Sequence, residues 1–209
     1  NPKAGVNYTF ARNHKVYVSF AVAQKEPTRS DFTDRYMFSG DDSYPSSEKL
    51  YDYELGYTYT SPRFSAGVNL YYMKYKDQLV PTGMVNDDSN ALNTNVPDSY
   101  RRGVELSASW RATGWFTVGA NATFSQNRIE NYVDALKDSP TYGKELGDMT
   151  IAYSPDVIAN AFLNFHHRGF EAVFHTQHVG KQYFTNNEND ALSLDAYCVT
   201  NLNLAYTFR

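Results

Sequence analysis

Apolar and polar residues alternate along most of this chain. In "YDYELGYTY", residues 51–59, every second residue is a large aromatic or aliphatic side chain, and small or polar residues stand between them. A period of two is typical of a β-strand with two unlike faces. The apolar face of such a strand contacts either a protein core or the hydrocarbon of a membrane, and this one segment leaves both open.

The alternation recurs along the chain and predicts nine strands. They are residues 4–10, 16–23, 51–60, 64–75, 103–110, 116–124, 157–165, 170–177 and 200–208. The faces opposite the apolar ones carry Gly, Asn, Ser and Thr, with Glu54 and Glu105 among them. Such residues are uncommon in a core, which indicates a wall that faces water or a polar plug. No segment has convincing helical periodicity or caps.

Short and long connections alternate between these strands. The tight links are 12–15, 61–63, 112–114 and 167–169, and the long ones are 24–49, 77–98, 128–149 and 182–195. In an up-and-down meander every second link lies at the same end, so one end carries tight turns and the other carries long loops. This asymmetry is typical of outer-membrane barrels and not of a Greek-key sandwich. We therefore expect the apolar faces to contact lipid, with tyrosines at both membrane interfaces.

Composition agrees with this prediction. The chain has 18 Tyr and 13 Phe among 209 residues, and its mean hydropathy of −0.57 is low because a membrane strand alternates polar with apolar residues. No apolar run approaches the roughly 20 residues of a spanning helix. The net charge of −4 gives no reason to expect nucleic acid as a partner. The four long connections are acidic, with 18 acidic and 7 basic residues, whereas the tight turns are basic.

The number of predicted strands points to a larger barrel. Bacterial single-chain barrels close with even numbers of strands, whereas nine segments alternate here. The sequence starts without a signal peptide and stops just after a strand pattern. We expect residues 1–209 to be one partial transmembrane β-barrel, a segment of an all-β, antiparallel up-and-down meander that belongs to a larger barrel of 16 to 22 strands or more.

Several segments resemble the barrel of TonB-dependent outer-membrane receptors. "NPKAGVNYTF" followed by "VYVSFAVAQKEPTRSDF" resembles a mid-barrel stretch of that family, and "EKLYDYELGYTY" resembles its "YELGxxY" strand. "YRRGVELSASW" resembles the strand after a long loop, and "VGKQYFTNNENDALSLDAYCVTNLNLAYTF" resembles a stretch near the family's C-terminus. These matches cover nearly the whole chain in the family's order, and the loops are similar to those of Bacteroidetes-like receptors.

The resemblance implies a function in active nutrient uptake. It implies a barrel of about 22 strands plugged by an N-terminal domain, of which residues 1–209 are expected to form about nine strands without the plug domain and the closing strands. It also implies a bacterial outer-membrane location, and import of a ferric siderophore, haem or cobalamin with energy supplied by TonB through an N-terminal region. The expected partners are outer-membrane lipid, TonB and a small-molecule nutrient such as a metal chelate. Iron chelates are preferred to glycans because the chain resembles the shorter iron-type receptors. No cofactor is implied.

Aromatic and basic residues in the long connections are the candidate ligand contacts, because loops on a rigid scaffold commonly carry recognition. The predicted ligand-binding residues are Arg35, Tyr36, Tyr44, Arg128, Tyr132, Tyr142 and Tyr183. Paired carboxylates in "SGDDS" (39–43) and "VNDDSN" (85–90) lack EF-hand spacing, and solvated loops are the preferred interpretation. The histidines at 166, 167, 175 and 178 are interpreted as structural, so no metal site is predicted.

Two other classes of protein stay open at this point. A passive outer-membrane porin has the same strand pattern but needs no plug. A soluble β-rich adhesin or carbohydrate-binding module would instead bury the face of Val16, Val18 and Phe20 inside protein. An enzyme is not expected, because no nucleophile elbow, HExxH motif or supported Cys–His pair is present.

Overall fold

The fold is an antiparallel β-sheet, seen in a computed structural model that describes residues 1–33 and 44–208. The strands are β1 Lys3–Phe10, β2 His14–Lys25, β3 Glu48–Thr60, β4 Phe64–Val85, β5 Ala91–Arg111, β6 Phe116–Ile129, β7 Met149–Thr150, β8 Val157–His167, β9 Phe170–Val179, β10 Gln182–Tyr183, β11 Ser193–Leu194 and β12 Tyr197–Tyr206. A short helix α1, Arg29–Thr33, and a 3₁₀ turn, Asp190–Leu192, interrupt two of the connections. These helices are too short and too polar to cross a bilayer.

The nine long strands follow one another as a meander. The sheet order is β1-β2-β3-β4-β5-β6-β8-β9-β12, and every neighbouring pair is antiparallel. The short strand β7 pairs with the end of β6, and β10 pairs with β11 in a separate small sheet. The predicted all-β, up-and-down class is confirmed. The tight turns and long connections also lie at opposite ends of the sheet.

Two expectations from the sequence are wrong in detail. The connection predicted at 77–98 is mostly strand, because β4 continues to Val85 and β5 starts at Ala91, which leaves a turn of only residues 86–90. Asn86 organises that turn, since its Oδ1 accepts hydrogen bonds from the Asp88 amide (3.0 Å) and the Asn90 amide (2.9 Å). The other difference is α1, a single turn where no helix is predicted.

The outward face of the wall is apolar and exposed. Val6 is 73% exposed, Leu106 44% and Leu202 51%, although all three lie in regular strands. An apolar face of this size is not left open to water in a soluble monomer, and hydrocarbon is the solvent that suits it. The faces predicted from alternation are therefore correct, and the Val18 face, at 54% exposure, is not covered by a second sheet.

The inward face is polar, and three aromatic rings on it cover glycines. The register places Tyr17 opposite Gly56, Tyr71 opposite Gly103, and Phe162 opposite Gly119. A Cβ atom added at Gly56 would lie 2.0 Å from the Tyr17 ring, and one at Gly119 would lie 2.4 Å from the Phe162 ring. Each ring therefore occupies the space that a side chain on the next strand would need, an arrangement known to stabilise glycines in sheets.

Candidate ligand-binding site

The β4–β5 hairpin changes face where it leaves the wall. Before Asp77, the even-numbered side chains of β4, such as Leu70 and Tyr72, point outward. Asp77 has a φ of 53°, in the left-handed region, and beyond it the even-numbered Val80 is only 1% exposed. Ser99, which lies on the inward face, donates a hydrogen bond to Gln78 (2.6 Å). The hairpin thus turns its even-numbered side chains to the inner side at the long-loop end.

Two connections pack against this hairpin, and the three segments together form a structured unit, here called the loop assembly (residues 77–98, 129–156 and 180–196). Its apolar core consists of Val80, Val96, Ile129, Tyr132 and Ile151. Ile129 is fully buried and Tyr132 is 2% exposed. The hairpin and the 129–156 connection are therefore not separate solvated chains, because they share one core on the inner side of the wall.

A segment of five residues, 185–189, joins the parts of the loop assembly by side-chain hydrogen bonds. Asn186 donates to the Pro81 carbonyl (2.7 Å) and accepts from the Ala152 amide (2.7 Å). Glu188 accepts hydrogen bonds from the amide (2.9 Å) and the hydroxyl of Thr150. Asn186 is 1% exposed, so its hydrogen bonds form away from water, where leaving them unmade would be costly.

Asp134 is the buried charged group of the loop assembly, at 1% exposure. Its Oδ2 accepts hydrogen bonds from Thr141 (2.6 Å) and Asn187 (3.1 Å), and its Oδ1 accepts one from the Leu136 amide (3.0 Å). Burial, the largest single influence, acts to raise the pKa of Asp134, but hydrogen bonds to the carboxylate, including one from Ser139, outweigh it and lower the pKa. The folded loop therefore favours the ionised carboxylate.

Beneath the loop assembly, the inner face forms an open chamber of about 360 Å³. Arg101 of β5 lies on its wall and donates to Ser154 (3.0 Å) and Asn127 (3.3 Å). At the rim, the exposed ring of Tyr153 stacks on Phe184 with centroids 5.7 Å apart. Glu54, Asn69, Tyr71, Met73 and Glu105 also line the chamber. A cation, carboxylates and aromatic faces thus meet where a solute entering from the loop side would arrive.

Tyr153 is held in an uncommon backbone conformation. Its φ is 56°, in the left-handed region, where a bulky residue is rare and costs roughly 1–3 kcal/mol. The Tyr153 amide donates to the Tyr183 carbonyl (2.9 Å), which fixes it beside the β10 segment. Strain of this kind persists only when its surroundings impose it, and it is often found at binding sites.

The structure separates the predicted ligand-binding residues. Tyr132 and Tyr142 line one groove of about 380 Å³ in the loop assembly, but Tyr132 is buried in the core while Tyr142 is 47% exposed. Burial raises the pKa of the Tyr132 hydroxyl. Tyr44 is exposed beside Phe32, with ring centroids 6.4 Å apart. Tyr183 lies in β10, and the Lys181 ammonium lies 4.9 Å from the centroid of its ring.

Arg128 lies apart from that group. It belongs to the outward face of β6, where its guanidinium lies 3.6 Å from Asp156. Arg35, Tyr36 and the "SGDDS" segment lie outside the described residues. In the two described ranges, no three or more His, Cys, Asp or Glu side chains are grouped so as to hold a metal ion. Among the predicted contacts that the structure describes, Tyr132 and Tyr142 are thus the two that line the same groove.

Arg101 and Tyr153 line the chamber but are not among the residues predicted from the sequence. Arg101 lies in a strand whose alternation places it on the inward face with Gly103 and Glu105, so the period of two was a usable signal. Tyr153 precedes "SPD" (154–156) and follows no periodic pattern. Its position depends on contacts with residues about 30 positions later, which a local pattern does not record.

The apolar outward face, the polar inward face and the antiparallel meander are those of a segment of an outer-membrane β-barrel wall. The family model described as "TonB dependent receptor-like, beta-barrel" matches residues 1–209, and the chain belongs to this family of outer-membrane transport receptors, which are not enzymes.

Solved structures agree on the fold. The chain is similar to the ferric yersiniabactin uptake receptor FyuA from Yersinia pestis, with a TM-score of 0.69 and 20% identity over 98% of this chain and 29% of FyuA. It is similar to the ferric-catecholate import receptor Fiu from K12 E. coli, with a TM-score of 0.68 and 17% identity over 99% and 28% of the two chains. It is also similar to the FrpB iron transporter from Neisseria meningitidis, with a TM-score of 0.67 and 19% identity over 99% of this chain and 32% of FrpB. The chain spans about a third of the length of these proteins or less.

Proposed function

We propose that this chain forms part of an outer-membrane receptor that binds a metal chelate and imports it with energy supplied through TonB. A ferric siderophore is the preferred cargo, and haem and cobalamin are the other candidates. The observation that carries the proposal is the chamber on the inward face, which an ordered loop assembly covers in a wall of this family. The three similar structures named above are described as receptors or transporters for iron or ferric compounds.

The chamber offers the contacts that a bulky chelate needs. The Tyr153–Phe184 pair presents two aromatic faces at the rim, and Arg101 presents a guanidinium whose hydrogen bonds to Ser154 and Asn127 involve only neutral partners. Arg recognises carboxylate and phenolate oxygens well because its donors are fixed in a plane. Tyr142 and Tyr183 add exposed or half-buried rings nearer the outside, where an arriving solute meets the loops first.

Loss of uptake tests the proposed function. A strain that lacks the parent receptor should fail to accumulate one cargo of a panel of radiolabelled ferric siderophores, haem and cobalamin, and the native gene should restore it. Uptake that stops without TonB supports an energised receptor. Uptake that rises in proportion to cargo concentration and is independent of TonB would instead identify a passive porin.

A pair of arginine variants tests the chamber itself. Arg101→Gln in the full-length receptor should weaken binding of the cargo about tenfold or more, as expected for loss of one charge-assisted contact in a partly enclosed site. Arg111→Gln is the matched control, because Arg111 lies at the tight-turn end of the same strand. Equal affinities of both variants and the native receptor would remove Arg101 from the binding site. Equal affinities would not contradict the transport proposal, which the uptake experiment tests separately.

A further inference from the structure

The inward face is mostly polar, but it carries an apolar region at its long-loop end. This region lies on β8, β9 and β12, and we call it the apolar side: Ile158, Val179, Tyr197 and Val199. The register places Ile158 opposite Val179 and Val179 opposite Tyr197, so these three side chains form a row across three strands. Val199 is the next residue after Tyr197 on the same face of β12. The four side chains are therefore neighbours in one surface.

Alternation along the strands shows that the apolar side does not contact lipid. Phe174 of β9 and Leu202 of β12 are exposed on the outward face. Val179 and Val199 lie an odd number of positions away from them and so point to the inner side. Ile158 of β8 lines the chamber itself. Since the bilayer wets only the outward face, it does not account for apolar side chains at these positions.

The surroundings of the apolar side are polar or charged. In the next row toward the tight turns, Asn160 is opposite Gln177 on the same inward face. Across the chamber, β3 and β5 carry Glu54, Arg101 and Glu105. The chamber therefore has a charged side and an apolar side, and Ile158 is the residue through which the apolar side reaches it.

Part of the apolar side is accessible from the loop end. Val199 is 44% exposed although it points to the interior of the wall. The Tyr153–Phe184 pair lies at the rim where β8 begins and β9 ends, and its ring faces extend the apolar surface outward. Covering such a surface with another apolar group is favourable, because water is released from both.

We propose that the cargo is an amphiphilic chelate, whose anionic metal-binding head lies beside Arg101 and whose aliphatic acyl chain lies on the apolar side. This inference rests on the proposed function and specifies the class of cargo. Valine and isoleucine side chains offer no hydrogen bonds, so a wholly polar cargo would gain nothing from them. Contact with the charged side would be costly for the chain, because ionised groups lose their hydration against hydrocarbon.

The size of the apolar side suits a medium-length chain. Neighbouring strands lie about 4.8 Å apart, so a row across three strands is about 10 Å long. A chain that follows the row from Ile158 to Tyr197 remains within reach of Val199. The charged and apolar sides together would fix the orientation of the cargo in the chamber, as polar groups do in other ligand sites.

Binding of chelates that differ only in the acyl chain tests this proposal. The probes are ferric siderophores, each prepared with and without an octanoyl chain on the same head and used below the concentration at which micelles form. The native full-length receptor should bind the acylated form of its cargo on the order of 100-fold more tightly, as expected for burial of roughly four methylene groups. Equal affinities for the two forms of every head would overturn the proposal, and they would indicate that the apolar side contacts protein.

A matched pair of valine variants locates the chain. Val199→Asn should weaken binding of the acylated chelate about tenfold and leave binding of the unacylated chelate unchanged. The inward face of β12 already carries Asn201 at the following inward position, so the wall accommodates this side chain. Val173→Asn is the control, because Val173 is also an inward valine but lies farther toward the tight turns, opposite Asn164. It should leave both affinities unchanged.

The remaining outcomes separate this inference from the proposed function. An equal loss for both chelates in Val199→Asn, an equal loss in the control, or no loss in either variant would overturn the acyl-chain site. TonB-dependent uptake of an unacylated chelate, with no preference for its acylated form, would overturn the inference and leave the proposed function intact. A receptor that imports neither form of any head would overturn both.

Discussion

The two ends of this wall shield their apolar side chains from water in different ways. Toward the tight turns, large apolar side chains such as Leu106 stay exposed on the outward face, and the hydrocarbon of the bilayer is the solvent that accepts them. At the long-loop end, the protein covers itself: Ile129 and Val80 are almost fully buried in the loop assembly, and Asn186 and Asp134 are buried with them. One end depends on its solvent, and the other depends on specific contacts.

This difference has a consequence for how each end tolerates substitution. On the lipid-facing wall, one apolar side chain can replace another at little cost, and only charged side chains are strongly destabilising. In the loop assembly, polar groups with fixed partners must be kept, since an unpaired buried polar group costs roughly 1–3 kcal/mol.

The same leucine-to-arginine substitution should act very differently at the two ends. Leu106 is 44% exposed in the wall and Leu194 is 41% exposed in β11, so exposure to a solvent probe does not distinguish them. Leu106→Arg should lower the free energy of unfolding by about 2–4 kcal/mol, because hydrocarbon excludes the charge. Leu194→Arg should change it by about 0.5 kcal/mol or less. Urea unfolding of the full-length protein in lipid vesicles measures both, and similar losses would mean that Leu106 does not contact lipid.

Removing one buried amide should loosen the loop assembly and leave the wall intact. Asn186→Ala deletes the hydrogen bonds to the Pro81 carbonyl and the Ala152 amide, so both backbone groups lose this partner. We expect a local loss of roughly 1–3 kcal/mol, seen as faster hydrogen exchange at residues 150–153 and unchanged exchange in β2 and β3. Asn90→Ala, in the exposed hairpin turn, is the control. Uniform acceleration over the whole chain would show that the two ends unfold as one unit.

Replacing a ring-covered glycine of the inward face by alanine should destabilise the wall. Gly56→Ala places a Cβ within 2.0 Å of the Tyr17 ring, so the ring must rotate away from the wall. We expect a loss of about 1–3 kcal/mol in the free energy of unfolding, the usual cost of overpacking. Gly114→Ala is the matched control, because a Cβ there meets no atom within 4 Å. If Tyr17→Ala relieved no part of the loss in a double variant, the ring would not be its cause.

The smallest effect concerns pH, because it involves a single carboxylate. The pKa of Asp134 is lower in the folded loop than in the unfolded chain, so its ionised form stabilises the loop assembly above the unfolded value of 3.8. This contribution should be lost as the pH falls below about 4 and through the folded pKa. Hydrogen-exchange protection factors for residues 132–146 should decrease over that range in the native protein and remain nearly constant in Asp134→Asn. An increase in protection toward low pH would contradict the sign.

The wall could be predicted from the sequence because its determinant is local. Lipid on one side and a polar interior on the other impose a period of two on every strand, so Leu106 and Glu105 could be assigned to faces from their neighbours alone. The alternation failed at Asp77, where the left-handed backbone exchanges the faces and prolines at 81 and 97 lower the strand propensity.

The loop assembly could not be predicted in the same way. Asn186 bonds to the carbonyl of a residue 105 positions earlier, and no pattern in a short window records such a contact. Tyr132 is predicted from the sequence as a loop aromatic, but the fold places its ring in a core that the β4–β5 hairpin and the 129–156 connection form together. Strand periodicity is enough to place Arg101 on the inward face. It does not place Tyr153, because long-range contacts impose the backbone conformation of that residue.

The rings that cover Gly56, Gly103 and Gly119 also shape the surface that the wall presents to its interior. Each ring fills a notch between neighbouring strands, so the lining is smoother than its mixture of large and absent side chains suggests. Aromatic carbons form few directional hydrogen bonds. A protein segment or solute that moved along the inward face would therefore break few hydrogen bonds at these three rings. The inward face thereby combines hydrogen-bonding side chains with three aromatic patches, and a glycine on the neighbouring strand makes room for each ring.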